Sequence, residues 1–149
     1  MLVFELGRND MSAGGQTPAQ HYTNVVDYLT ADYGPNTQNI LDQGWNVRVM
    51  VNIASAASLA ADITAYRALL RDPAFATDTQ THAGGAYAGQ LQLIDTDLIT
   101  LAGDPIFATA ADASDTAYYA GDNTHPNIAG CVLRVTGGDT PAHGIAYGL

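Results

Sequence analysis

Two short segments of the 149-residue chain carry side chains that can act on a bond. In Asp122-Asn123-Thr124-His125-Pro126 a carboxylate precedes an imidazole by three positions, directly before a proline suited to the first turn of a helix. That spacing lets the carboxylate fold back onto one ring nitrogen and fix the tautomer, which leaves the other nitrogen to act as a general base. A helix-start loop with a solvent-facing histidine uses the same residue types. In Gly7-Arg8-Asn9-Asp10 the glycine permits close backbone approach, and the Asn9 amide can donate to a developing oxyanion. Gly, Asn and Asp are also ordinary turn residues, so read alone this segment is a turn first.

A base of this kind serves a nucleophile within hydrogen-bond reach. Of the four serines, Ser58 reads as a helix cap and Ser12 and Ser114 as loop residues, while Ser55 follows an apolar run and is the candidate for a relocated nucleophile. His21 falls on a helical pattern, His82 in a polar stretch and His143 near the end of the chain, and structural roles are expected for all three. Asp95, Asp97 and Asp104 are neighbours in sequence but lack tight ligand spacing, so no metal site is expected. Cys131 lies on an apolar helical stripe and reads as an inert core thiol. Trp45, just before a strand, reads as core or rim packing.

The elements that must position these residues are legible from periodicity. Leu2 to Leu6 is a short apolar run closed by Gly7, Asn9 and Asp10, as when a buried strand runs into a loop. A loop from Ser12 to Thr17 leads to a helix with Thr17 as its cap and Pro18 in its first turn. Tyr22, Val25, Val26 and Leu29 recur at helical spacing, and the helix is expected to end near Tyr33, before Gly34-Pro35. Val47 to Ile53 is apolar on both faces, as a covered parallel strand is. Ser58 can cap a helix in which Leu59, Ile63, Tyr66, Leu69 and Leu70 line one side, stopping before Pro73. A polar loop then runs to about residue 89, and Gln90 to Asp95 reads as a third strand delivering Asp95 and Asp97 to its carboxyl end. Leu98 to Ala113 fits neither period. From Pro126 a last helix is expected to bury Ile128, Cys131, Val132 and Val135 on one face and to end at Gly137-Gly138. Strand and helix alternate, which calls for a parallel sheet with helices on its faces and ligands outside the carboxyl ends of the strands.

Composition sets the outer bounds. With 47% hydrophobic and 13% charged residues the chain suits one domain with its own core. Fifteen acidic residues, of which Glu5 is the only Glu, face five basic residues that are all Arg, for a formal charge of -10. Such a field repels nucleic-acid phosphates and anionic lipid, so neither nucleic acid nor a membrane surface is expected as a partner. The apolar stretch at the start is too short for a signal-peptide core, and no run approaches the roughly 18 residues needed to cross a bilayer. One cysteine forms no intramolecular disulfide.

Taken together and in this order, the two motifs resemble those of the SGNH, or GDSL-type, hydrolase superfamily. Gly7-Arg8-Asn9-Asp10 looks like its third block, Gly-x-Asn-Asp, and Asp122 to His125 like its fifth, Asp-x-x-His, about 115 positions apart. The resemblance implies a flavodoxin-like three-layer α/β/α sandwich on a parallel sheet, a small ester or acetylated carbohydrate as substrate, and neither metal nor cofactor. It also implies His125 as general base, Asp122 as its orienting partner and Asn9, supported by Gly7, in the oxyanion hole. The first block, Gly-Asp-Ser, which supplies the nucleophile, is not found: Gly103-Asp104 is followed by Pro105, Gly121-Asp122 by Asn123 and Gly138-Asp139 by Thr140. By the family pattern the chain corresponds to the carboxyl-terminal two-thirds of such a domain, lacking its first two strands. In the sheet order 2-1-3-4-5 this leaves Leu2 to Leu6 as an unpaired edge, where a partner chain bearing the nucleophile, or self-association, is expected. The alternative is a catalytically inactive remnant serving as a binding or structural module, for instance on a virion or cell surface.

Overall fold

Apolar alternation in three short segments builds a parallel sheet in the computed structural model, which describes residues 1–5, 8–12, 14–31, 39–50, 59–109, 111–122 and 125–147. Strands β1 (Leu2–Phe4), β2 (Val47–Met50) and β3 (Leu91–Ile94) lie in the order β1-β2-β3. Leu2 pairs with Val47 and Val47 with Leu91, so β2 is central and β1 is an edge. All four residues of β2 are buried, but the second is Arg48, so one of its two covered faces is not apolar throughout. The chain is therefore mixed α/β with a three-stranded parallel sheet and helices, in the alternating order that the periodicity implied.

Helix α2 (Pro18–Thr30) begins as its sequence dictates. The Thr17 hydroxyl accepts from the Gln20 N–H at 3.2 Å, and the Gln20 side chain accepts from the Thr17 N–H at 2.9 Å. This reciprocal box satisfies two of the helix's first unpaired donors. The helix stops at Thr30 rather than near Tyr33, because the Asn39 amide donates to the Thr30 carbonyl at 3.0 Å and takes over its end. Helix α3 (Ala60–Arg71) packs on α2, and the two bury Val25, Leu29, Ile63, Tyr66 and Leu70 with Val47 and Val49 in one core cluster. Ser58, expected as its cap, lies outside the described residues, as does the continuation of β2 toward Ile53.

Elsewhere the local structure departs from the pattern. Arg8–Ser12, expected as loop, forms one helical turn, α1; the Asp10 carbonyl that closes it accepts from the Gln16 N–H at 3.1 Å. The stretch after Arg71, expected as a polar loop, opens with α4 (Pro73–Asp78), because Asp72 caps the Ala74 N–H at 2.8 Å and Pro73 starts a helix as readily as it stops one. Phe75 on α4 is buried in the main core. The unassigned stretch after Leu98 holds a hairpin, β4 (Thr100–Leu101) and β5 (Asp104–Pro105), turning on Ala102 and Gly103 at φ of 53° and 86°. An alanine in that conformation is uncommon, which hid the turn.

The last helix, α5 (Ile128–Thr136), overturns an expectation. Asn127 caps it, accepting from the Gly130 N–H at 3.0 Å, and Gly137 ends it at φ 84°. Its buried residues are Gly130 and Arg134, whereas Ile128 is 86% exposed and Val132 and Val135 are also exposed. Cys131 is exposed too, not a core thiol. A Cβ at Gly130 would stand 2.2 Å from the Tyr118 carbonyl oxygen, so only glycine lets the helix sit this close. Arg134 pairs with Glu5 just past β1, and this contact turns the apolar stripe away from the protein. A second, smaller cluster of Ile99, Ile106, Phe107 and Tyr119 lies under Leu133.

Candidate active site

The segment carrying Asp122 and His125 is closed into a loop by its own backbone. Tyr119 and Pro126 form an antiparallel bridge, the Ala120 N–H donates to the His125 carbonyl at 2.8 Å, and the Asn127 N–H donates to the Tyr118 carbonyl at 2.9 Å. The Asn127 amide donates to the carbonyls of Thr116 and Ala117, both at 3.0 Å, while its oxygen caps α5. One asparagine thus ties the loop's two ends to the start of the helix, and His125 stands beside it.

Within this loop the Asp122 carboxylate grips His125 twice. Oδ1 accepts from the backbone N–H at 2.9 Å, and Oδ2 lies 2.6 Å from Nδ1. A carboxylate only accepts, so the proton sits on Nδ1 and the Nε2 lone pair is left outward. The ring is 74% exposed and the carboxylate side chain 49%. The imidazole is thus oriented by Asp122 and open to solvent, and the three-residue spacing does bring carboxylate and ring together.

The remaining candidates are distributed differently. Gly7 and Ser55 lie outside the described residues, and Asn9 is in α1 with its side chain likewise outside them. Ser12 ends α1, and Ser114 donates to the Ala111 carbonyl at 2.6 Å. His21 is buried, with its ring centroid 4.8 Å from that of Tyr66 and Nδ1 3.3 Å from Gln16 Oε1. His82 is exposed, 3.2 Å from the Ala76 carbonyl.

The acidic residues after β3 do not form an open cluster. Arg71 holds Asp95 at 2.8 Å and also binds Asp97, and Arg67 lies 3.7 Å from Asp97. Arg67 and Arg71 are four residues apart on α3, so one helix face presents both guanidinium groups to this turn. Burial pulls the Arg67 guanidinium below its ordinary value, and Asp97 works against that shift. For Arg71 burial acts in the same downward sense, but the hydrogen bonds it donates to Asp97 and Asp95 outweigh it and the net shift is upward. Among the described residues no group of three or more His, Cys, Asp or Glu is placed to hold a metal ion.

A feature missed from the sequence adjoins the dyad. Pro126, Ile128, Cys131, Val132 and Val135 line a shallow, nearly apolar surface groove of about 530 Å³ that starts at the residue after His125. Gly130 and Arg134 lie opposite this stripe whichever way the helix is turned, so the local pattern carried no signal that the stripe would be the outward side. Among the described residues no helix is long and apolar enough to cross a membrane. Comparison of the chain with protein-family models, with curated proteins and with solved structures found no match.

Proposed function

We propose that the chain is the carboxyl-terminal part of an SGNH-type ester hydrolase, an esterase or carbohydrate deacetylase, built on a flavodoxin-like α/β/α sandwich. The observation that carries this reading is the double grip of Asp122 on His125 with Nε2 left open, at 2.9 and 2.6 Å. The strand order supports it: β1, β2 and β3 follow one another in the sheet as strands three to five of a 2-1-3-4-5 order do, with β1 at the edge.

In this mechanism a serine hydroxyl attacks the ester carbonyl carbon while Nε2 of His125 takes its proton. Asp122 keeps Nδ1–H oriented and stabilises the imidazolium that forms. The Asn9 amide, with Gly7 allowing close backbone approach, donates to the oxyanion of the tetrahedral intermediate. His125 returns the proton to the departing alkoxide, and water repeats the cycle to release the acid. The serine is brought to Nε2 by a second polypeptide or by Ser55. An imidazole this exposed gains from such a partner, because expelling water strengthens each of these interactions.

Labelling the native preparation with a fluorophosphonate, with peptide mapping of every chain present, tests the reading. The expected result is a serine adduct that disappears in His125→Ala, together with ester turnover lowered about 100-fold in Asn9→Ala. Turnover unchanged in His125→Ala would remove the site assignment. A second reading is favoured by the exposed apolar face of α5: a catalytically inactive module that binds or assembles, on a virion or cell surface, in which Asp122 merely shapes the loop before α5. No adduct on a folded sample supports that second reading.

A further inference from the structure

Arg48 stands apart from the other arginines whose side chains are described. Arg67 and Arg71 face Asp95 and Asp97, and Arg134 is bound to Glu5, so each of these cations is met by a carboxylate. Arg48 is as deeply buried as Arg67 and Arg134, at 7% exposed, and no described carboxylate pairs with it. Its guanidinium donates instead to the carbonyls of Ile145 and Tyr147. Those two bonds fix the group and leave its other N–H donors over, but a carbonyl brings no charge to set against a cation. A buried charge is ordinarily paired. In a chain with fifteen acidic residues and only five arginines, a carboxylate is the easiest partner to supply, yet this position has none.

The uncompensated cation lines a pocket of about 290 Å³ at the amino ends of β1, β2 and β3. Met1, Asn46, Gly89 and Gln92 share its walls with Arg48, and no residue lining it is acidic. Arg48 and Gln92 are register partners on β2 and β3, so their side chains leave the sheet side by side on one face. Gln92 is only partly buried, and its amide adds a neutral N–H donor next to the guanidinium.

We propose that this pocket binds a small organic monocarboxylate, which supplies the charge that Arg48 lacks. The planar guanidinium, with N–H groups to spare, matches the two oxygens of a carboxylate. Charge selects the single carboxylate over a phosphate group. One guanidinium cancels one negative charge, and the second charge of a phosphate stays uncompensated in a chain already at -10. Size restricts the rest of the ligand to a short body, since the pocket lies at the lower end of the range of about 300–1,000 Å³ found for ligand sites. The acidic surface does not oppose such a ligand. Exposed charges farther than about 8 Å are largely screened at physiological salt, whereas the bound carboxylate meets a desolvated cation within hydrogen-bond distance. The inference is separate from the hydrolase reading, since it concerns neither Asp122 nor His125.

Titration of the full, isotope-labelled chain with acetate, butyrate and benzoate at constant ionic strength, followed by nuclear magnetic resonance, tests it. A saturable shift of the Arg48 Nε–H and Gln92 side-chain signals is expected with at least one of the three. Butyramide, which keeps the shape of butyrate without its charge, is expected to leave them in place, and sodium phosphate to bind more weakly than the best carboxylate. Gln92→Glu retains the ties of Arg48 to Ile145 and Tyr147 and sets a carboxylate beside the guanidinium from within the chain. It is expected to weaken carboxylate binding about tenfold or more and to raise the melting temperature of the ligand-free chain. Equal shifts with chloride or butyramide, a preference for phosphate, binding undiminished in Gln92→Glu, or no saturable shift with any of the three acids would each overturn the proposal.

Discussion

On one face of the sheet, α2 and α3 turn Val25, Leu29, Ile63 and Leu70 toward Val47 and Val49; on the other, α5 turns Gly130 and Arg134 inward and Ile128 and Val132 out. The first face is held by apolar area, a non-directional force that any amphipathic helix supplies. The second adds directed contacts, Arg48 on the carbonyls of Ile145 and Tyr147 and Arg134 on Glu5, to the smaller apolar cluster under Leu133. Every arginine whose side chain is described serves as such a tie. In a chain with so few cations, using them this way leaves the surface acidic and the apolar stripe of α5 exposed.

Substitutions on the two faces sharpen this contrast. Leu70→Ala, on the face closed by apolar packing, is expected to cost about 4 kcal/mol in urea unfolding, the range for emptying a fully buried leucine. Arg134→Ala removes the tie under α5 and is expected to cost about 2 kcal/mol, less than a fully buried pair because Glu5 is half open to water. A cost for Arg134→Ala above that of Leu70→Ala would show that the directed contacts carry more than the apolar core.

High pH probes both faces at once. Burial, and then the charge of Asp10, raises the Tyr66 phenol; burial, and then Asp112 and Glu5 against the opposing pull of Arg134, raises that of Tyr119. The folded state therefore favours the protonated phenols. Their contribution is complete below the ordinary value of 10.0 and is lost as pH rises beyond it. Stability followed against pH is expected to fall above about pH 10, and Tyr66→Phe and Tyr119→Phe are each expected to flatten that fall. An unchanged alkaline limb in both variants would remove these two tyrosines as its cause. The smallest effect is expected for Ile128→Ala: within about 0.5 kcal/mol when measured on dilute, monomeric chain, as for a surface residue. A loss of 2 kcal/mol or more, on the order of a buried side chain, would instead place Ile128 in the core.

How far the sequence could be read follows from the range of each interaction. The cap of Thr17 on α2 and the contact of Asp122 with His125 each span three residues, so a local reading reaches them; the last helix, expected from Pro126, starts two residues later at Ile128 because Asn127 is its cap. The end of α2 depends on Asn39, nine residues past Thr30, and the expected boundary ran too far. Asp95 and Asp97 were legible as acidic residues after a strand, but not as the partners of Arg67 and Arg71 more than twenty positions earlier.

By itself the sequence determined the alternation of strands and helices and the pairing of Asp122 with His125, because hydrophobic period and covalent reach are properties of neighbouring residues. Only the tertiary structure decided that β2 is central, that Asp95 and Asp97 are neutralised, and which side of α5 meets the protein. The last was settled by Glu5, 129 residues from Arg134, and by the backbone of Tyr118 against Gly130. A helical stripe states that one face is apolar; whether that face is buried depends on what the rest of the chain sets opposite it.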